Sequence, residues 1–131
     1  MRRTMLKSKI HRARVTGSDL HYVGSITVDP VLLEAADIRE NEQVHVVDID
    51  NGARLVTYTI AGTRGSGEVQ LNGAAARLVH TGDTIIVISY VELDDAELDE
   101  FAPVVVHVDE HNSILAVDAS PGILHPAEAI A

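Results

Sequence analysis

A chain of 131 residues is long enough for one domain with a real core and too short for two of ordinary size. Hydrophobic residues make up 46% and aromatics only 3%, the apolar share being mostly Val, Ile, Leu and Ala, which suits a β-rich core. A net charge of -10 argues against general affinity for nucleic acid or anionic lipid, the lack of cysteine removes disulfide and thiolate chemistry, and no apolar run has membrane-spanning length or the character of a secretory leader, so a cytoplasmic protein is expected.

Six of the ten Lys and Arg residues (Arg2, Arg3, Lys7, Lys9, Arg12, Arg14) lie in the first fourteen positions, and none follows Arg77. Residues 5–15 alternate as on a strand, which sets Lys7, Lys9, His11 and Ala13 on one face and Ser8, Ile10, Arg12 and Arg14 on the other. Lys9 and His11 side by side suit an anionic ligand. Residues 16–19 read as a turn by composition, and short strands at 20–23 and 26–28 flank Gly24 and Ser25.

The Gly24–Ser25 peptide bond is a candidate cleavage site. A serine hydroxyl can attack the preceding carbonyl carbon if the backbone is strained enough to bring the two together, and glycine before the serine permits such a backbone. The resulting ester can undergo β-elimination, and hydrolysis of the dehydroalanine leaves a pyruvoyl group at the new amino terminus. Met in isolation, Gly-Ser is far more often a bend between strands.

Asp29 and Pro30 read as the N-cap and first position of a short helix that runs to Ala36. Residues 42–50 and 53–60 are strand-like, and Asn51-Gly52 between them predicts a type I′ hairpin with Arg54 and Tyr58 on one face and Thr57 on the other. The glycine-rich residues 62–67 predict a mobile loop without the frame of a phosphate-binding loop. After a short run at 68–71, Asn72 is placed to cap an alanine-rich helix whose free N–H groups suit a carboxylate, although a plain capped helix is the simpler reading.

Residues 80–83 predict a turn, and the apolar run 84–91 predicts a central strand buried on both faces. Residues 92–100 form an acidic, solvated segment, and 103–109 with 114–117 form a last hairpin. His107 and His111 share no helical face there, and no metal site is expected. One domain over 1–117 and a flexible tail over 118–131 complete the organisation.

In combination these pieces resemble the pyruvoyl-dependent aspartate α-decarboxylases. The motifs are Lys9-x-His11, Tyr22-x-Gly24-Ser25, Asn51-Gly52-x-Arg54-x-x-Thr57-Tyr58 and Asn72-Gly73-Ala74-Ala75, in order and at these spacings over about residues 1–117. The resemblance implies a mainly β fold, a double-psi β-barrel with short helices. It further implies a homotetramer with active sites between subunits, and conversion of L-aspartate to β-alanine and CO2 for pantothenate and coenzyme A synthesis.

It also implies residue roles. Cleavage at Gly24–Ser25 would yield fragments 1–24 and 25–131, Ser25 becoming the pyruvoyl group that forms a Schiff base with the substrate. Tyr58 is the expected proton donor after decarboxylation and Arg54 the partner of a substrate carboxylate. Thr57, Gly73, Ala74 and Ala75 should line the substrate site, with Lys9 and His11 completing a cationic pocket. Asn72 should hydrogen-bond near the cofactor, and Tyr22 and Thr57 should assist self-cleavage. Thr57 faces away from Arg54 and Tyr58 by alternation, so either a bulge re-aims it or it serves a neighbouring subunit.

Two other readings compete: a swapped-hairpin β-module that binds DNA, against which the net charge and the paucity of aromatics stand, and an unprocessed, inactive homologue. The sequence names no maturation partner.

Overall fold

Among residues 1–122, which a computed structural model of the chain describes, nine strands and one α-helix follow one another. They are β1 (Arg2–Arg14), β2 (Gly17–Asp19), β3 (Ser25–Val28), α1 (Pro30–Ala35), β4 (Gln43–Asp48), β5 (Arg54–Ala61), β6 (Val69–Asn72), β7 (Thr84–Asp94), β8 (Val104–Val108) and β9 (Ile114–Asp118), with 3₁₀ turns at Gly73–Arg77 and Asp95–Glu100. The strands join in the order β2-β6-β3-β5-β4-β7-β1-β8-β9. Parallel pairs β1/β8, β2/β6 and β3/β5 are mixed with antiparallel ones. The architecture is mainly β and consistent with a double-psi β-barrel carrying short helices. Its core is built from inward residues of nearly every strand, including Ile10, Ile26, Val46, Leu71, Val87 and Val106, closed on one side by Leu32 and Leu33 of α1.

The first strand departs from simple alternation. Its pairing with β7 slips between Leu6 and Ser8 and again between Ile10 and Ala13, and Arg12 has φ 65°. Each bulge adds an unpaired residue and turns the strand's faces over. Ser8 and Ile10 therefore point inward before the second bulge, and Ala13 and Val15 after it. The expected face of Ser8, Ile10, Arg12 and Arg14 is broken at Arg12.

Residues 17–19 form β2 rather than a turn, because they pair with distant β6, Gly17 opposite Gln70 and Asp19 opposite Asn72. Residues 20–23 turn instead of forming a strand. The β4–β5 connection is also longer than a type I′ turn. Only Gly52 has positive φ (76°), and the Asp48 carboxylate accepts the N–H groups of Asp50 and Asn51, which favours a right-handed turn at those residues.

The apolar run in β7 is buried on one face only. Ile85, Val87 and Ser89 are inside, while Ile86 and Ile88 are half-buried and Tyr90 is exposed on the outer face. Asp118 closes β9, and residues 123–131 of the expected tail lie outside the described residues. Among the described residues no helix is long and apolar enough to cross a membrane.

Asp29 does more than cap α1. Its Oδ1 accepts Val31 N–H at 2.9 Å and Gly65 N–H at 3.0 Å, and Oδ2 accepts Gly67 N–H at 2.8 Å. Residues 62–67, expected to be mobile, are thereby tied to the helix start, with Arg64 paired to Glu34 of α1. Burial pushes the Asp29 carboxyl up, but the backbone donors of Gly67, Val31 and Gly65, with Arg64 nearby, hold it below the usual carboxylate value. An Asp29→Asn variant, which turns an amide donor on these N–H groups, should lose about 1–2 kcal/mol near neutral pH. A group with a depressed folded value stabilises above its ordinary pKa and stops doing so as the pH falls through the folded one. The gap in melting temperature between parent and variant should therefore be full above about pH 5 and shrink below about pH 4.

Candidate active site

Antiparallel pairing of β3 with β6 sets Ser25 directly opposite Asn72, and both side chains are fully buried. Ser25 Oγ donates to Val23 O at 2.8 Å and accepts from Asn72 Nδ2 at 3.0 Å. The same Asn72 amide donates to Thr27 Oγ1 at 2.9 Å, and its Oδ1 accepts from Gln70 Nε2 at 2.8 Å. Asn72 was expected to cap the following helix. Its side chain makes no capping bond, because Oδ1, the atom a cap would use, accepts from Gln70 instead, and the helix is a short 3₁₀ turn. The hydroxyl next to the candidate scissile bond is thus fixed by one buried amide, which Gln70 orients.

The demand for glycine falls on a different residue from the expected one. Gly24 is exposed, lies outside the positive-φ region and has nothing within 4 Å of where a Cβ would stand. Gly73 has φ 66°, and a Cβ there would sit 2.7 Å from Gly24 Cα, 2.8 Å from Gly24 N and 3.0 Å from Tyr22 O. Gly73 therefore lets the 3₁₀ turn press against the backbone of the Gly24–Ser25 segment. Gly73→Ala should displace that segment and slow any cleavage at Gly24–Ser25 more than it lowers the melting temperature; the fraction cut over time, by intact mass, measures it. Ala74 is exposed beside it, and Ala75 is half-buried against the core. Tyr22 is half exposed and lines an open groove of about 470 Å³ with Asp19, Thr27, Glu68 and Gln70.

Arg54 and Tyr58 occupy the outer face of β5. The β4–β5 register runs unbroken from Gln43 opposite Tyr58 to Val47 opposite Arg54. No bulge re-aims Thr57, which stays on the other face. Extending the parallel register of Ile26 with Thr59 back by one residue brings Tyr58 level with Ser25, and by two brings Thr57 level with Gly24.

On the outer face, Lys9, Ile88, His45 and Val56 form one cross-strand row over β1, β7, β4 and β5. Arg54 Nη2 donates to Tyr90 Oη at 3.0 Å, and the rings of Tyr90 and His45 meet edge-on at 4.9 Å. Lys9 Nζ donates to Pro121 O at 3.0 Å. His11 is buried, edge-on to His107 at 5.7 Å, and His107 Nε2 lies 3.1 Å from Asp118 Oδ1.

Ser25, Asn72 and Gly73 thus form one group, while Lys9, Arg54 and Tyr58 lie on the outward face of the sheet and Thr57 on the other face of β5. Sequence reasoning missed Gln70, His45 and Tyr90. Alternation within 84–91 carries a signal for Tyr90, since it places Ile86, Ile88 and Tyr90 together, whereas Gln70 shows itself only through its contact with Asn72. A family model described as aspartate decarboxylase matches residues 1–115 of the chain.

Proposed function

Starting from a chain that belongs to the aspartate decarboxylase family, we propose that it is a self-processing lyase that converts L-aspartate to β-alanine and CO2. Ser25 Oγ attacks the Gly24 carbonyl, and elimination and hydrolysis release ammonia and leave a pyruvoyl group on residue 25. The observation that carries this reading is the buried Ser25 hydroxyl, aligned by Asn72 next to a backbone that Gly73 approaches without a Cβ. A pyruvoyl ketone conjugated to an amide supplies the electron sink that decarboxylation needs.

The remaining work falls to the chain's own side chains. Arg54 holds a substrate carboxylate through the two parallel N–H groups of its guanidinium. Lys9 and His11 contribute positive charge on an otherwise acidic protein. Tyr58 Oη delivers a proton to the former α-carbon. Thr57, Gly73, Ala74 and Ala75 line the pocket around residue 25, while Thr57 and Tyr22 assist cleavage.

Membership of the family supports a homotetramer with active sites between subunits, in which one copy presents Arg54 and Lys9 to the Ser25 of another. The half-buried Ile86 and Ile88 and the exposed Val56 and Tyr90, on the face that carries Arg54 and Tyr58, suit burial against such a copy. The domain is taken to end near residue 117, and β-alanine to serve pantothenate and coenzyme A synthesis.

Intact mass under denaturing conditions tests the proposal. Fragments 1–24 and 25–131 are expected, the larger lighter by one ammonia than plain hydrolysis would leave it, together with CO2 release from L-aspartate. A chain that stays whole after prolonged warming and releases no CO2 would be an unprocessed homologue. Tyr58→Phe should still cleave but turn over about 10²-fold or more slowly; near-normal turnover would remove Tyr58 from the role.

A further inference from the structure

Away from Ser25, the β4–β5 connection and the turn before β7 bring together Asp48, Asp50 and Asp83. Each offers one oxygen, and these oxygens lie within 4.8 Å of one another. Backbone amides fix all three side chains. Asp48 Oδ1 accepts Asp50 N–H at 2.8 Å and Asn51 N–H at 3.3 Å, Asp50 Oδ2 accepts Thr84 N–H at 2.8 Å, and Asp83 Oδ2 accepts His80 N–H at 3.0 Å. Asp48 is 1% exposed, and its second oxygen is buried with no hydrogen-bond donor. A buried, unpartnered carboxylate oxygen on a side chain grouped with two other carboxylates is costly unless positive charge joins them.

We propose that Asp48, Asp50 and Asp83 form a binding site for a hard divalent cation, calcium or magnesium. The donor set is all oxygen, which favours these ions over softer ones. Gly52, at φ 76°, lets the chain turn sharply just after Asp48 and Asp50. The spacing is not that of a helix-flanked calcium loop, because the third ligand arrives from a distant turn. Burial, then the nearby Asp83 carboxyl, pushes the Asp48 carboxyl up. A proton shared by this pair is the competing way to neutralise it.

A cation would clamp two segments already linked by Ile49 N–H to Thr84 O at 2.8 Å and by Asn51 Nδ2 to Leu78 O at 2.8 Å. That clamp lies just before β5, whose first residue is Arg54. Its effect would be to stiffen the end of the sheet from which Arg54 projects.

The full chain, stripped with chelator and dialysed, is titrated with calcium or magnesium chloride at pH 7, with sodium chloride at matched ionic strength as control. The site predicts a saturable rise of a few degrees in melting temperature. Equilibrium dialysis should find one ion bound per chain. Both should be lost in Asp48→Asn and weakened about tenfold or more in Asp50→Ser, an exposed position that keeps the fold testable if the first variant does not fold. A response equal to that of sodium chloride, or unchanged in Asp50→Ser, overturns the proposal. So does a chain indifferent to both cations that gains stability only as the pH is lowered from 7, the mark of a shared proton.

Discussion

Ser25→Ala should remain a single chain of full mass and release no detectable CO2 from L-aspartate, with a melting temperature within a few degrees of the uncut parent. The substitution removes one oxygen from a buried site and leaves Asn72 Nδ2 its second acceptor, Thr27 Oγ1 at 2.9 Å. The structural cost is therefore of the order of one hydrogen bond, about 1 kcal/mol. The chemical cost is total, because Ser25 is both the nucleophile of cleavage and the atom source of the cofactor. Cleavage of this variant at the same bond, seen by intact mass, would assign the attack to another group.

The second large effect comes from mixing two dead variants. Ser25→Ala lacks the cofactor and Arg54→Ala lacks the carboxylate partner, so each alone should be nearly inactive. If Arg54 acts on the Ser25 of a neighbouring copy, co-expression in equal amounts lets about a quarter of the sites draw an intact Ser25 from one chain and an intact Arg54 from the other. If both residues act within one chain, every site is defective and activity stays at background. The half-buried Ile86 and Ile88 and the exposed Val56 on the face that carries Arg54, open to burial against another copy, are the structural reason to expect rescue.

What could be read from the sequence was what local chemistry decides. Asp29 and Pro30 announce α1 because a cap and a fixed φ act within one turn, and the alternation over residues 54–60 separates Arg54 and Tyr58 from Thr57 because no bulge intervenes. The failures lie where distant partners decide. Residues 17–19 have turn composition yet become β2 because β6 is there to pair with them. Arg12 gives no sign that it will adopt φ 65° and reverse the faces of β1.

The same division holds at the candidate site. The contact of Ser25 with Asn72 spans 47 positions, and spacing alone did not foretell it. The motifs of the resemblance placed both residues in one site, whereas nothing singled out Gln70, which fixes the amide between them. Glycine at 24 was credited with a conformational freedom that the structure requires of Gly73 instead.

The place of β1 bears on the life of the molecule after processing. It lies between β7 and β8, flanked on both sides, and it precedes the candidate cut. A chain severed after Gly24 keeps β1 and β2 only through cross-strand hydrogen bonds and packing, as a separate piece of 24 residues. Once such a protein unfolds in dilute solution, the short piece diffuses away, and recovery requires two molecules to meet again. Heating the cut form should thus be a one-way event, while the Ser25→Ala chain, still tethered, can retrace its path on cooling.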